Sequence, residues 1–395
     1  MNEALRDAVS ARQEAAVELL AELVRKPTEN PPGDTSEASQ WLANALLERG
    51  HEVERHPVPQ PFARTHRRGD VENLIVRRTF GPGPTVALHA PIDTLPAGSG
   101  WTRDPFGAEI KDRILIGRGA RDSKGDLVAY VAVLEALNAA GLDRGTVELH
   151  LTADEESGGF LGPAFLLSQG LTNPSAVIAA GTSYQVIVGQ EGVLHLEVVL
   201  RGRQAHASRP QDGADAIAAA LPILTAIHAE AQSTEAPLTV GLLSGGRGVN
   251  VVADRARFTI DRRLLASEDG EEVETALISL MERAHAAHGA AGIGLECRRL
   301  LLADPVTPTP ASDELAATLS KHAETAFARA VPVVSAPVVS GARHYAAAGI
   351  ATALYGVGPP IVGEGVDFTG EEGVSLDDLE RTCLALAHAL VELTQ

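Results

Sequence analysis

Residues 87–128, ALHAPIDTLPAGSGWTRDPFGAEIKDRILIGRGARDSKGDLV, hold the pattern from which the rest of the chain can be read. An apolar run over 85–92 ends in Asp93 and the turn signal Leu95-Pro96-Ala97-Gly98. A second turn-rich segment, Gly117-Arg118-Gly119, then presents Asp122 just before an apolar helical pattern. A buried strand ending in one carboxylate, with a second carboxylate at a helix N-terminus, is the layout of an α/β site at the carboxyl ends of strands.

Outward from this stretch the pattern alternates. Helical spacing covers 2–24 and 34–50, and strands are predicted at 51–58, 73–80 and 85–92. A helix over 123–141 precedes a strand at 146–152, which runs straight into Asp154-Glu155-Glu156. A further helix (162–169) and strand (176–180) complete a doubly wound, mostly parallel α/β sheet. Over 188–303 the order becomes strand, helix, strand, strand, helix, strand, the βαββαβ pattern of a ferredoxin-like domain. After Pro305 the alternation resumes with helix 312–329, strand 351–355 and helix 376–393. The expected organisation is therefore one α/β domain, 1–187 plus 304–395, with a ferredoxin-like domain, 188–303, inserted in it.

The 395 residues suffice for two domains, and 45% hydrophobic with 22% charged residues is ordinary for a globular protein. A net charge of −19 argues against nucleic acid or an anionic membrane surface as partner. Cys297 and Cys383 are the two cysteines, which excludes a disulfide framework and a cysteine-based metal site. The first 25 residues read as a charged amphipathic helix rather than a signal peptide, and no apolar run approaches 18 residues. A cytoplasmic location is the expectation.

The motifs at 87–128 resemble the co-catalytic zinc exopeptidases and deacylases: aminoacylase, acetylornithine deacetylase, succinyl-diaminopimelate desuccinylase and glutamate carboxypeptidase. Those proteins read roughly G-H-x-D-T-V-P, G-W-x-x-D-P-F and G-R-G-x-x-D-x-K-G. The resemblance covers about residues 20–390. It implies a catalytic domain carrying an inserted lid or dimerisation domain, and in the family five residues hold two zinc ions that activate a bridging water. Asp93 matches the aspartate that orients a histidine ligand, Asp122 the bridging aspartate, Glu155 the general base and Glu156 a metal ligand. The other ligand positions carry Pro91, Gly181 in Ala179-Ala180-Gly181-Thr182, and Phe368 in Asp367-Phe368-Thr369-Gly370-Glu371-Glu372. None of these side chains coordinates a metal, so no intact dinuclear centre and no cofactor is expected. Zinc returns only if His89, His344 or Asp367 rebuild a displaced site with Asp122 and Glu156. The bland reading of His89, two residues before Pro91, is a core histidine.

The resemblance also implies a substrate grip. His206, in Gln204-Ala205-His206-Ala207-Ser208-Arg209-Pro210, matches a histidine that stabilises an oxyanion, usually across a dimer interface, and Asn250 matches an asparagine with a similar task. Arg263 in Asp261-Arg262-Arg263 matches an arginine that holds a substrate carboxylate. Arg343 and His344 lie in a segment like one that lines the family's pocket. The expectation is a homodimer through strand 194–203 and helix 215–231, acting on a small carboxylate-bearing amide by metal-free proton-transfer, acyl-transfer, cyclisation or elimination chemistry. The alternatives are a hydrolase of N-acyl amino acids or dipeptides with a reduced metal site, and a non-catalytic ligand-binding protein.

Overall fold

The computed structural model describes residues 2–65, 70–287, 292–359 and 371–395. They form two units, Met1–Gly189 with Thr307–Gln395, and Gln190–Val306. The first is built on an eight-stranded sheet with parallel strands at its centre. Thr146–Thr152, Thr85–Pro91, Ala176–Ala179 and Ala351–Leu354 run side by side in one direction. Glu72–Thr79 and Val53–Pro57 extend the sheet antiparallel on one side, and Val186–Gln190 and Val333–Ala336 flank it on the other. Central strands read as continuous apolar runs because both faces are covered. Val86, Leu88 and Ala90 belong to the core containing the helix Lys124–Ala139, while Ala87 and Val177 pack with Tyr345 on the opposite face.

Three departures from the sequence reading have local causes. The predicted helix over 2–24 is two helices, Asn2–Ser10 and Gln13–Val24. At the break Arg12 turns its guanidinium onto the Ala8 carbonyl at 2.7 Å. A small sheet of Glu109–Lys111, Ile114–Ile116 and Gly373–Ser375 was not foreseen, since three-residue strands carry no period. The segment read as a pocket loop contains a short helix, Ala342–Ala347.

In the second unit the sheet order is Leu238–Gly245, Arg255–Leu264, Gly192–Arg201, Gly294–Ala303, antiparallel throughout. The helices Ala216–Ser233 and Gly270–Ala287 cover one face, through Ile223, Leu277 and Met281 against Leu196, Val198 and Phe258. This is the ferredoxin-like arrangement. It corrects one expectation: the strand assigned to a dimer interface is interior, hydrogen-bonded on both sides, and has no edge to offer. Among the described residues no helix is long and apolar enough to cross a membrane.

A polar seam runs through the first unit. On the strand Thr146–Thr152, Glu148 accepts hydrogen bonds from Thr172 Oγ1 (2.6 Å) and Arg77 Nε (2.7 Å) and meets His150 Nε2 at 2.8 Å. His150 Nδ1 lies 2.9 Å from the Tyr345 hydroxyl, which ties the helix Ala342–Ala347 to the sheet. Burial alone would raise the Glu148 pKa, but the bonds from His150, Thr172 and Arg77 bring it down to about 2. A carboxyl whose pKa is lowered on folding from an ordinary 4.5 stabilises above pH 4.5 and loses that contribution as pH falls toward 2. Glu148→Gln is expected to cost on the order of 2 kcal/mol at pH 7, discounted for the solvent that reaches the arginine side of the pair. The gap between wild-type and variant urea midpoints should narrow between pH 4.5 and 3. A gap independent of pH would assign the loss to packing instead.

Candidate active site

The strand Thr85–Pro91 delivers Asp93 to the carboxyl end of the sheet, where it is almost fully buried. Asp93 Oδ2 accepts a hydrogen bond from Asn30 Nδ2 at 2.9 Å. Its two oxygens also accept the backbone N–H groups of Glu155 (3.1 Å) and Glu156 (3.2 Å). Asp93 therefore clamps the turn that follows the neighbouring strand. That turn needs unusual backbone: Asp154 has φ +71° and Gly158 and Gly159 have φ +104° and +69°, with a single 3₁₀ turn, Glu155–Ser157, between. Burial raises the Asp93 pKa, and its three hydrogen bonds oppose the rise.

The clamp aims two glutamates into one buried cluster. Burial, then the charges of Asp122 and Asp93, push the Glu155 carboxyl up to about 8, while the Gly341 N–H and Arg343 pull the other way. Burial, then Glu155, Asp122 and Asp93, push Glu156 up to about 10 against a hydrogen bond from the Leu95 N–H. Asp122 is raised by burial and by Glu372. Like charges this close cannot all ionise, so near neutral pH the cluster shares protons.

Glu372, which sequence reasoning named only as part of a motif, organises the other wall. It accepts the backbone N–H groups of Gly119, Arg121 and Asp122 at 2.9, 2.9 and 3.0 Å and pairs with Arg118 at 2.7 Å. The buried Lys124 Nζ donates to the carbonyls of Leu23 and Lys26. Burial lowers its pKa to about 7 despite the nearby charges of Glu372 and Asp93.

The donors present can be compared with what two zinc ions need, three or four N, O or S ligands each in tight geometry. Pro91 closes its strand with no side-chain donor. The N–H of Gly181 donates to Asp126 Oδ2 at 3.1 Å, and a Cβ at Gly181 would lie 2.7 Å from the Tyr355 nitrogen. No carboxylate side chain fits there without a backbone shift. Asp126 itself, a fully buried acid raised well above the usual carboxylate range by burial, was missed by sequence reasoning. Its signal was an acid in the first turn of a mostly apolar helix.

The two histidines considered as replacement ligands are both engaged. His89 is buried, with Nε2 2.9 Å from Thr152 Oγ1 and its ring edge-on to Tyr345; burial, then His150 and His344, lower its pKa to about 3. His344 Nε2 lies 2.8 Å from the Gly158 carbonyl oxygen, which also accepts from Arg343 Nη2 at 2.6 Å. Burial and the Arg343 charge lower the His344 pKa to about 4. Arg343 and His344 thus brace the outside of the Glu155 turn. Asp367 and Phe368 lie outside the described residues. Among the described residues no three His, Cys, Asp or Glu side chains are grouped to hold a metal.

The remaining expected site residues lie in the second unit. His206 and Asn250 are brought together by a backbone pairing, with Ala207 N donating to Asn250 O at 3.0 Å, and His206 Nδ1 is 2.8 Å from Ser208 Oγ. Both are exposed. Arg263 lies on the sheet face away from the helices and is paired with Asp261 at 3.0 and 3.2 Å, where Asp261 also meets His195 at 3.1 Å. Its neighbour Arg262 points to the other face and is held by Glu268.

The chain matches the family described as peptidase family M20/M25/M40 over residues 87–392. The succinyl-diaminopimelate desuccinylase of Sphingopyxis alaskensis is 30% identical over 295 residues, 70% of this chain and 74% of that enzyme. The Wolinella succinogenes enzyme of the same name is 29% identical over 228 residues, 54% of this chain, and the match spans 62% of that enzyme, under two thirds of its length. The fold is shared with the dipeptidase Dug1p of Saccharomyces cerevisiae, at a TM-score of 0.83 and 12% identity across 100% of this chain and 98% of that one. The family match covers most of the chain and takes in Asp93, Asp122 and the Glu155-Glu156 turn: this protein belongs to peptidase family M20/M25/M40.

Proposed function

We propose that this chain is an amide-processing enzyme of the M20 family that transfers protons through carboxyl groups, without a dinuclear zinc centre, on a small substrate bearing a carboxylate. The observation that carries the reading is Glu155, held through its backbone by Asp93, in a cluster that shares protons with Glu156 and Asp122. A carboxyl with a pKa of about 8 gives up and retakes a proton near neutral pH, as a general acid or base must. A metal lowers the pKa of bound water from about 15.7 to about 7, and without one water is a poor nucleophile. Transfer of the acyl group to an amine or hydroxyl, or cyclisation within the substrate, asks less of Glu155 than hydrolysis does. His206 and Asn250 would polarise the reacting carbonyl, and Arg263, released from Asp261, would take the substrate carboxylate in a bidentate grip. The desuccinylase relatives support a substrate with more than one carboxylate. Mutual repulsion among Asp122, Glu155 and Glu156 favours a second reading, in which one displaced cation joins them and the enzyme hydrolyses amides.

The two unpaired cysteines, Cys297 and Cys383, support a cytoplasmic setting. A homodimer would form through the free edge of Leu238–Gly245, where Leu242 and Leu243 are 67% and 61% exposed. The helix Ala216–Ser233, packed behind that strand, adds exposed Ile217 and Leu221. Antiparallel pairing of two copies would satisfy the edge and bury these side chains.

Two experiments test these readings. Purified protein is offered a panel of N-acyl amino acids and dipeptides, N-succinyl compounds included, and consumption is followed by mass spectrometry with and without a chelator. Turnover should survive the chelator and fall about 10³-fold in Glu155→Gln. Loss to the chelator with recovery on added zinc would establish the hydrolase reading, and full activity in Glu155→Gln would remove the carboxyl mechanism. In sedimentation at micromolar concentration the wild type should be a dimer and Leu242→Glu a monomer. A monomeric wild type would sink the edge-strand interface.

A further inference from the structure

At the other end of the sheet from Asp93 lies a second concentration of charge, of opposite sign. Arg78 pairs with Val147 near the start of the strand Thr146–Thr152, whereas the acidic turn follows that strand's last residue. Arg12, Arg49, Arg78 and His51, with Glu135 and Asn138, line a cleft of about 370 Å³ there. The volume falls in the range of small-molecule sites.

The charges in this cleft do not balance. Glu135 is the one carboxylate among the lining groups, and it is shared: Arg49 Nη1 lies 3.2 Å away, His51 Nε2 3.3 Å and Arg12 Nε 3.8 Å. Burial would raise the Glu135 pKa, but His51 and Arg49 hold it below the usual range. Arg12 and Arg49 also reach the carbonyls of Ala8 and Ala15, and Arg78 Nη2 donates to Asn138 Oδ1 at 2.7 Å. The Arg12 Nε–H is buried and has no hydrogen-bond partner among the described residues. Three guanidinium groups against one carboxylate leave an excess of two positive charges in a chain whose net charge is −19. The Arg12 and Arg49 side chains are 24% and 23% exposed, so solvent screens them only in part.

We propose that this cleft is a binding site for a small oxyanion, a metabolite carrying a diphosphate or several carboxylates, separate from the acidic site. Forked N–H donors match the oxygens of phosphate and carboxylate alike, and the excess charge is what such a ligand would neutralise. The proposal does not depend on the reaction assigned to Glu155.

Isothermal titration of the full chain with pyrophosphate and with citrate, at ionic strength held constant with sodium chloride, tests it. At least one of the two anions should bind saturably. A response to pyrophosphate alone assigns phosphoryl ligands and a response to citrate alone assigns polycarboxylates. Arg78→Ala removes one exposed guanidinium, and Asn138→Asp adds a carboxylate beside it; each should weaken binding about tenfold or more with the melting temperature unchanged. Arg201→Ala, at an exposed arginine of the other unit paired with Glu296 at 3.2 Å, should bind as the wild type does. The proposal is overturned if neither anion binds, if both cleft variants bind as tightly as the wild type, or if binding is lost in Arg201→Ala.

Discussion

A single buried carboxyl group, that of Asp93, holds the acidic end of the sheet together. It stands between two parallel strands and accepts the backbone N–H groups that would otherwise be orphaned where the second strand breaks into its turn. Leaving such donors unmet costs about 1–3 kcal/mol each, so the turn has little freedom to choose another shape. The same device recurs nearby. Asp126 accepts the N–H groups of Gly181 and Val357, and Glu372 those of Gly119, Arg121 and Asp122. Asp93, Asp126 and Glu372 each hold two or more backbone N–H groups, whereas Glu155 and Glu156 each accept one and are raised by their acidic neighbours.

This division bears on the proposed reading, in which the carboxyl groups work without a dinuclear metal centre. Proton-sharing carboxyls need burial and proximity, and both come from the loop closures rather than from a metal. At Gly181 the backbone packs against Tyr355 and Leu354 too closely for any side chain. At Pro91 the strand ends on a residue with no donor, and the histidine two places back is turned into the core toward Thr152. The chemistry proposed here uses what those constraints leave in place.

The alternation of strands and helices was legible because buried parallel strands are uninterrupted apolar runs and their helices are amphipathic at long stretch. The insertion was legible for the same reason, from the order of its elements. Local carboxylate motifs pointed to Asp93, Glu155 and Glu156, which follow strand ends, and to Asp122, which precedes a helix. What stayed hidden depends on partners far away in sequence. Glu372 and Asp122 are 250 residues apart, Tyr345 and His150 are separated by 195, and no periodicity records such pairs. Arg263 looked available from its motif, whereas the alternation of faces along its strand puts it beside Asp261. The arginine cleft had no motif at all, because four separate elements supply its charges.

The ferredoxin-like unit begins and ends on a pair of residues that hold each other. Gln190 and Val306 form an antiparallel bridge, with N–H···O distances of 3.0 and 2.9 Å in the two directions. A stretch of more than a hundred residues therefore leaves and rejoins its host at one point, as a hairpin loop does. Closing a loop whose ends already touch adds little entropy penalty however long the loop grows. The host sheet, whose strands Ala176–Ala179 and Ala351–Leu354 pair across the gap, is insulated from what is spliced between them. Such a junction lets one scaffold lengthen or trim its insertion without disturbing the pairing of the host strands.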